Sequence, residues 1–159
     1  MEDKKSILIL GIGNLILKDE GVGVHVVQKM MDMNLPPDIE VMDGGTMGID
    51  LLYHIEGRKK VIVIDAVNTE GVPGTLYRFT DRDLEDNKDI LRSAHEIDFT
   101  YVLKTAGLFS KSPEEVIFIG IKPGDISEGM ELSPAMEEKI PAIIELVMKE
   151  IEKKQDSRG

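Results

Sequence analysis

Three carboxylates and one imidazole stand out in a chain that offers few other reactive groups. Glu20 lies in the glycine-rich stretch GIGNLILKDEGVG, residues 11–23. Asp43 follows the apolar run Ile39 to Met42 and opens the turn Asp43-Gly44-Gly45-Thr46. Asp65 closes the run Val61 to Ile64, and His95 ends Ser93-Ala94-His95. Carboxylate oxygen combined with imidazole nitrogen suits a borderline divalent ion such as nickel, zinc, cobalt or iron(II). Three protein ligands leave positions open for water or substrate, as in a working rather than a structural site. Carboxylates brought together without a cation would repel one another or share protons. Each residue also has a purely structural role available. Asp65 is placed to cap the turn Ala66-Val67-Asn68, Asp43 to hold the Gly44-Gly45 turn, and His95 to cap a helix. Their joint placement, not any one of them, favours a metal site. His25 and His54 fall within helical stretches and read as surface or half-buried residues.

The glycine-rich stretch is not a nucleotide loop. Gly11 and Gly13 match the start of a dinucleotide fingerprint, but Ile16 stands where its third glycine belongs, and no Gly-Lys-Ser/Thr follows. A helix N-terminus attracts phosphate through its free N–H groups. Asp19 and Glu20 already occupy that electrostatic position. One of them is expected to cap the helix that begins near Gly21, which leaves the other available.

The elements that must position these groups alternate along the chain. Ile7 to Leu10 reads as a first strand, followed by a helix with Val22, Val26, Val27, Met30 and Met31 on one face. Ile39 to Met42 is a second strand, and Thr46 to Ile55 a second helix. Lys60 to Asp65 is a third strand. Gly74 to Thr80 alternates as an antiparallel edge strand, and residues 81–95 are polar. A helix is expected over 96–108 and a buried strand over Val116 to Ile121. Ser133-Pro134 opens a last helix as N-cap and first turn. Met136, Ile140, Ile143, Ile144, Val147, Met148 and Ile151 form its apolar stripe, with a kink or break at Pro141. Continuous apolar strands are covered on both faces and pair in parallel. The expected fold is therefore α/β: a three-layer sandwich with a doubly wound, mostly parallel five-stranded sheet, one antiparallel edge strand, and helices on both faces. Glu20, Asp43, Asp65 and His95 then share the carboxyl edge of the sheet, where ligands bind in such folds.

Composition narrows the function classes. The 159 residues suit a single domain, residues 1–159, with a core over about 6–150 and a frayed tail from Lys153 to Gly159. Without cysteine there is no disulfide scaffold, thiol nucleophile or zinc knuckle. Nineteen basic against 30 acidic residues give a net charge of −11, which disfavours nucleic acid and anionic lipid as partners. No apolar run approaches the ~20 residues that cross a bilayer. Met1 to Lys5 leads straight into the first strand without a signal peptide, so a cytoplasmic location is expected. No Gly-x-Ser-x-Gly elbow and no His-Glu-x-x-His helix occurs. An enzyme built from this chain would activate water through a metal or a carboxylate.

The segments ILGIGNLILKDEGVGVHVV, VMDGGTMGIDLL, VIVIDAV, PGTLYRF, SAHEI and VIFIGIKP, in unbroken order from about residue 6 to residue 150, resemble the successive motifs of the hydrogenase maturation endopeptidases. The resemblance implies a five-stranded α/β sandwich. It also implies a protease that removes a C-terminal extension from the large-subunit precursor of a nickel–iron hydrogenase once nickel is in place. The family's metal-contacting Glu, Asp and His map onto Glu20, Asp65 and His95, and Asp43 matches a further acidic position near the same cleft. Glu20, Asp43 and Asp65 are accordingly the candidate catalytic residues, with Asp43 as a general base and nickel as a Lewis acid both open. Nickel is expected to come with the substrate rather than as a tightly held cofactor, and the protein to act as a monomer. The competing readings are a non-enzymatic metal-binding or chaperone-like protein on the same fold, and a metal-dependent hydrolase of small substrates.

Overall fold

A computed structural model of the chain describes residues 4–86 and 112–153. Its strands are β1 (Ile7–Ile12), β2 (Ile39–Gly45), β3 (Lys60–Ala66), β4 (Leu76–Thr80) and β5 (Glu115–Ile121). They form one sheet in the order β2-β1-β3-β5-β4. Pairing is parallel throughout except for the edge strand β4, which runs antiparallel to β5. The described helices are α1 (Val22–Met30), α2 (Leu51–Ile55), α3 (Asp81–Asp86), α4 (Pro134–Glu137) and α5 (Ile140–Glu152), with a 3-10 turn at Lys18–Gly21.

Period-two alternation along fully buried strands divides the core into two layers. On one face Ile9, Ile62, Ile64, Ile117 and Ile119 pack against Val22, Val26, Met30, Met136, Ile140 and Ile143 of α1, α4 and α5. On the other, Leu8, Leu10, Val61, Val63 and Phe118 pack against Leu51 and Ile55 of α2. Two covered faces explain why these strands are apolar along their central positions. The expected three-layer, mostly parallel five-stranded sandwich is what forms.

Several boundaries differ from the sequence reading. Residues 46–50 form turns, so α2 is half its expected length; Gly48 and the two preceding glycines weaken any helix there. The polar stretch after β4 begins with a short helix, α3, whose first turn is stabilised when Asp83 Oδ2 accepts the Thr80 N–H at 2.8 Å. The last helix is broken, as Pro141 requires. The chain closes α4 at Glu137 and restarts as α5 at Ile140, with Pro141 in the first turn where its missing N–H costs nothing. Met31 lies beyond the end of α1 and is exposed. The helix expected over 96–108 lies outside the described residues.

At the amino edge of the sheet α5 is tied down by charge. Lys60, only 3 % exposed, donates to the Glu150 carbonyl at 2.8 Å and lies 3.5 Å from Glu115 Oε1 and 3.7 Å from Glu150 Oε2. The Glu150 carboxylate also accepts from Arg78 and, at 3.2 Å, from Lys153. Burial alone would push the Glu150 carboxyl up, but the hydrogen bonds and charges of Arg78 and Lys153 outweigh it and hold it below the ordinary value. A carboxyl depressed in the folded state stabilises above its unfolded pKa of about 4.3, and that contribution is lost as pH falls through the folded value. Glu150→Gln leaves the Lys60 ammonium with Glu115 and the residue-150 carbonyl and removes the charge that Arg78 and Lys153 face, so unfolding in urea is expected to show a loss of about 2 kcal/mol at pH 7. The gap between variant and wild type should narrow below about pH 4.

Candidate active site

The strand order places a topological switch between β1 and β3. The chain leaves β1 toward α1 on one face; it leaves β3 toward the other, where Val67 packs with Leu8, Leu10 and Phe118. In open α/β sheets the crevice at such a point is where ligands bind. Glu20 follows β1 and Asp65 is the penultimate residue of β3, so the two carboxylates flank the switch from its two adjacent strands.

Close backbone approach brings them there. Gly13, at φ +149°, lies against the Glu20 carbonyl; a Cβ on it would sit 2.2 Å from that oxygen. Gly23, in the first turn of α1, lies against β1 and β3, where a Cβ would sit 2.1 Å from the Ile64 carbonyl oxygen and 2.6 Å from that of Ile12. The helix thus starts directly over the ends of both strands, and the 3-10 turn carrying Glu20 runs within 8 Å, Cα to Cα, of β3. The glycines of the stretch serve this folding-back, not a phosphate.

Three of the four sequence-predicted residues lie among the described residues. Asp65 is buried, opposite Gly120 of β5 in register, and by alternation with Val61 and Val63 it projects to the α2 face. Glu20 is half-buried. Both carboxylates are engaged in further interactions. Asp43 lies within β2, which extends past Met42 to Gly45, and is exposed. Its Oδ1 accepts the Gly45 N–H at 2.9 Å, so the turn-holding role is real; Gly45 itself takes φ +48°. His95 lies outside the described residues. Among the described residues no three His, Cys, Asp or Glu side chains gather as a metal-binding group. Glu20, Asp43 and Asp65 therefore do not make a three-ligand site by themselves, and an imidazole such as His95 would be required to complete one.

The expectation that Asp19 or Glu20 caps α1 is not met. No side chain caps that helix. Asp19 is fully buried and turned away from the helix, onto the segment 124–133. Its Oδ2 accepts the N–H groups of Gly124 (3.0 Å) and Asp125 (2.9 Å) and the Ser133 hydroxyl (2.8 Å), while Oδ1 accepts the Ser133 N–H (2.8 Å). Ser133 stands at the N-cap position of α4 but gives its hydroxyl to Asp19 and makes no side-chain cap. Nothing in the local sequence announces a pairing across more than 100 residues; the only signal is an Asp beside Glu20 that the helix does not use. Main-chain bonds zip the same two segments: Lys18 N to Gly129 O (3.0 Å), Asp19 N to Asp125 O (3.0 Å) and Gly129 N to Ile16 O (2.9 Å).

Fold and site together give a doubly wound α/β protein with two carboxylates beside the strand ends that flank the switch point of its sheet. The model of the hydrogenase maturation protease family matches residues 24–150. The chain is 31% identical over 144 residues to the hydrogenase 2 maturation protease of Escherichia coli, covering 89% of this chain and 88% of that protein. It is 36% identical over 162 residues to a putative hydrogenase maturation protease of Methanocaldococcus jannaschii, covering 94% and 99%. The fold superposes on the hydrogenase maturating endopeptidase HybD from E. coli with a TM-score of 0.83 at 30% identity, over 91% of each chain. The chain belongs to the hydrogenase maturation protease family and is an endopeptidase.

The contact at Gly23 is testable. An alanine gains about 1 kcal/mol of helix propensity over glycine, but a methyl group 2.1 Å from a backbone oxygen forces α1 off the sheet. Overpacking of this kind costs about 1–3 kcal/mol or more. Gly23→Ala is expected to be net destabilised by about 2 kcal/mol in denaturant titration, and to lose cleavage activity under conditions where it is still folded.

Proposed function

We propose that this endopeptidase removes a C-terminal extension from the large-subunit precursor of a nickel–iron hydrogenase, and that it reads nickel already inserted in that precursor through Glu20, Asp65 and His95. The reading is supported by the placement of Glu20, in the turn that follows β1, and Asp65, near the end of the adjacent strand β3. Membership of the maturation protease family and the similarity to the E. coli hydrogenase 2 maturation protease support the substrate class. Two carboxylates and an imidazole are a suitable donor set for nickel. Because the ion arrives with the substrate, it acts as a mark of completed assembly: a precursor without it lacks the contact that holds its tail against the enzyme.

Hydrolysis needs a water that loses a proton as it attacks the scissile carbonyl, and a proton for the departing amine. Asp43 is exposed on the strand next to β1 and serves as the base in this reading. Binding of the nickel by Glu20, Asp65 and His95 then fixes the scissile segment beside it, which converts binding energy into orientation. The enzyme's surplus of acid, with its net charge of −11, favours a basic residue at the cleavage point. No helix among the described residues is long and apolar enough to cross a membrane.

The decisive experiment incubates the enzyme with nickel-loaded and nickel-free precursor and follows the shortening of the large subunit. Only the loaded precursor is expected to be cut. Glu20→Gln and Asp65→Asn should each lower the cleavage rate by about 100-fold or more, with thermal unfolding close to wild type; His54→Ala serves as a control at full rate. Binding of the loaded precursor without any shortening would refute the proteolytic role. Asp43→Asn separates two functions, because its amide oxygen still accepts the Gly45 N–H. If Asp43 is the base, kcat falls by about 10²–10⁴ while precursor binding is retained; a wild-type kcat would limit Asp43 to its turn.

A further inference from the structure

Glu20 accounts for one acid of the Asp-Glu pair and leaves the buried one without a task in the chemistry. Removing a carboxylate from water costs several kcal/mol unless hydrogen bonds replace the lost solvent. Asp19 is 0 % exposed and recovers that cost with four donors, all from residues 124–133. A contact that only closed two loops together would be made more cheaply by apolar groups of the same size. A carboxylate differs in being directional: four donors at 2.8–3.0 Å fix both oxygens, hence the side chain and the backbone that bears it.

The preceding residue carries the matching strain. Lys18 takes φ +44°, a left-handed conformation that costs a residue with a Cβ about 1 kcal/mol or more and persists only where its surroundings over-determine it. Here the surroundings are the main-chain bonds to Gly129 and Asp125 and the 3.0 Å pair between Lys18 Nζ and Asp125 Oδ2. Adjacent side chains on a 3-10 turn point about 120° apart, so holding Asp19 inward fixes the direction in which Glu20 leaves the backbone.

We propose that Asp19 is a positioning residue: the clasp it forms with Gly124, Asp125 and Ser133 aims Glu20 at the end of β3, where Asp65 lies. The segment 124–133 is thereby part of the catalytic apparatus although none of its side chains touches the reacting atoms. This inference rests on the nickel-reading role of Glu20.

The test uses Ser133→Ala, which removes the hydroxyl's hydrogen bond to Asp19 and is expected to leave the fold intact, beside Asp19→Asn and Ser133→Thr. Cleavage of nickel-loaded precursor is expected to fall about tenfold in Ser133→Ala and about 100-fold in Asp19→Asn, and to recover in Ser133→Thr. Amide exchange should accelerate at Asn14 and at Lys18 to Glu20, while β1, β3 and β5 stay protected. Added to Glu20→Gln, Ser133→Ala should lower the residual rate no further, because the clasp acts through Glu20. If Asp19→Asn does not fold, Ser133→Ala decides alone. Wild-type cleavage by Ser133→Ala together with an inactive Glu20→Gln overturns the clasp and leaves the Glu20 reading standing. Equal further loss in the Glu20→Gln background also overturns it, since that is the signature of a general structural defect. A fully active Glu20→Gln removes the Glu20 reading and the clasp's purpose with it.

Discussion

Parallel pairing of β1 with β3, followed by departure of the chain to opposite faces, is the constraint on which the remaining structure depends. It leaves a crevice between the two strand ends at the topological switch point. A helix that starts after β1 must then begin almost in contact with both strands. Gly23 permits that start, with its Cα against the Ile64 and Ile12 carbonyls. A larger residue would lift α1 and carry the preceding 3-10 turn away from β3. The separation of Glu20 and Asp65 is thus set by backbone packing, before any side chain is chosen.

Two ends of the sheet are treated differently in charge. At the amino edge Lys60, Arg78 and Lys153 surround the carboxylate of Glu150, with Glu115 as a second partner of Lys60, an ion cluster that fixes the end of α5. At the carboxyl edge Asp19 is satisfied by two backbone N–H groups, a third from Ser133, and a hydroxyl, with no lysine or arginine as a partner among the described residues. The nearby Lys18 ammonium is paired with Asp125 instead. One arrangement closes an edge. The other leaves negative charge in place.

The sheet order apart, most of the fold was readable from the chain. Continuous apolar runs ending in Asp65 and in Lys122-Pro123-Gly124 located β3 and β5, because burial on both faces leaves no room for alternation. Pro141 located the break between α4 and α5 for a steric reason that operates within one turn. The errors were of another kind. Residues 46–50 looked helical by pattern, but Gly45 at φ +48° and Gly48 interrupt the helix there. Ser133 looked like an N-cap and Asp19 like another; each fits the local rule, and each is claimed by the other across the fold. A local rule describes an available partner, and a tertiary contact with better geometry displaces it. The positions of Glu20 and Asp65 were readable because strand ends define the carboxyl edge. The clasp beneath Glu20 was not, since its two halves are separated by more than 100 residues.

The choice of neutral donors for Asp19 has an electrostatic consequence for the site. A buried acid paired with a lysine would bring a positive charge under Glu20 and weaken the attraction of that turn for a cation; at 4–6 Å a unit charge shifts a neighbouring group substantially. Backbone N–H groups stabilise the carboxylate through dipoles whose field decays faster with distance than that of an ion. Asp19 is thereby held by donors that bring no net positive charge beneath Glu20. The same residue sets a direction and contributes to a negative potential, which is the combination required of a turn that has to meet a metal carried by another protein.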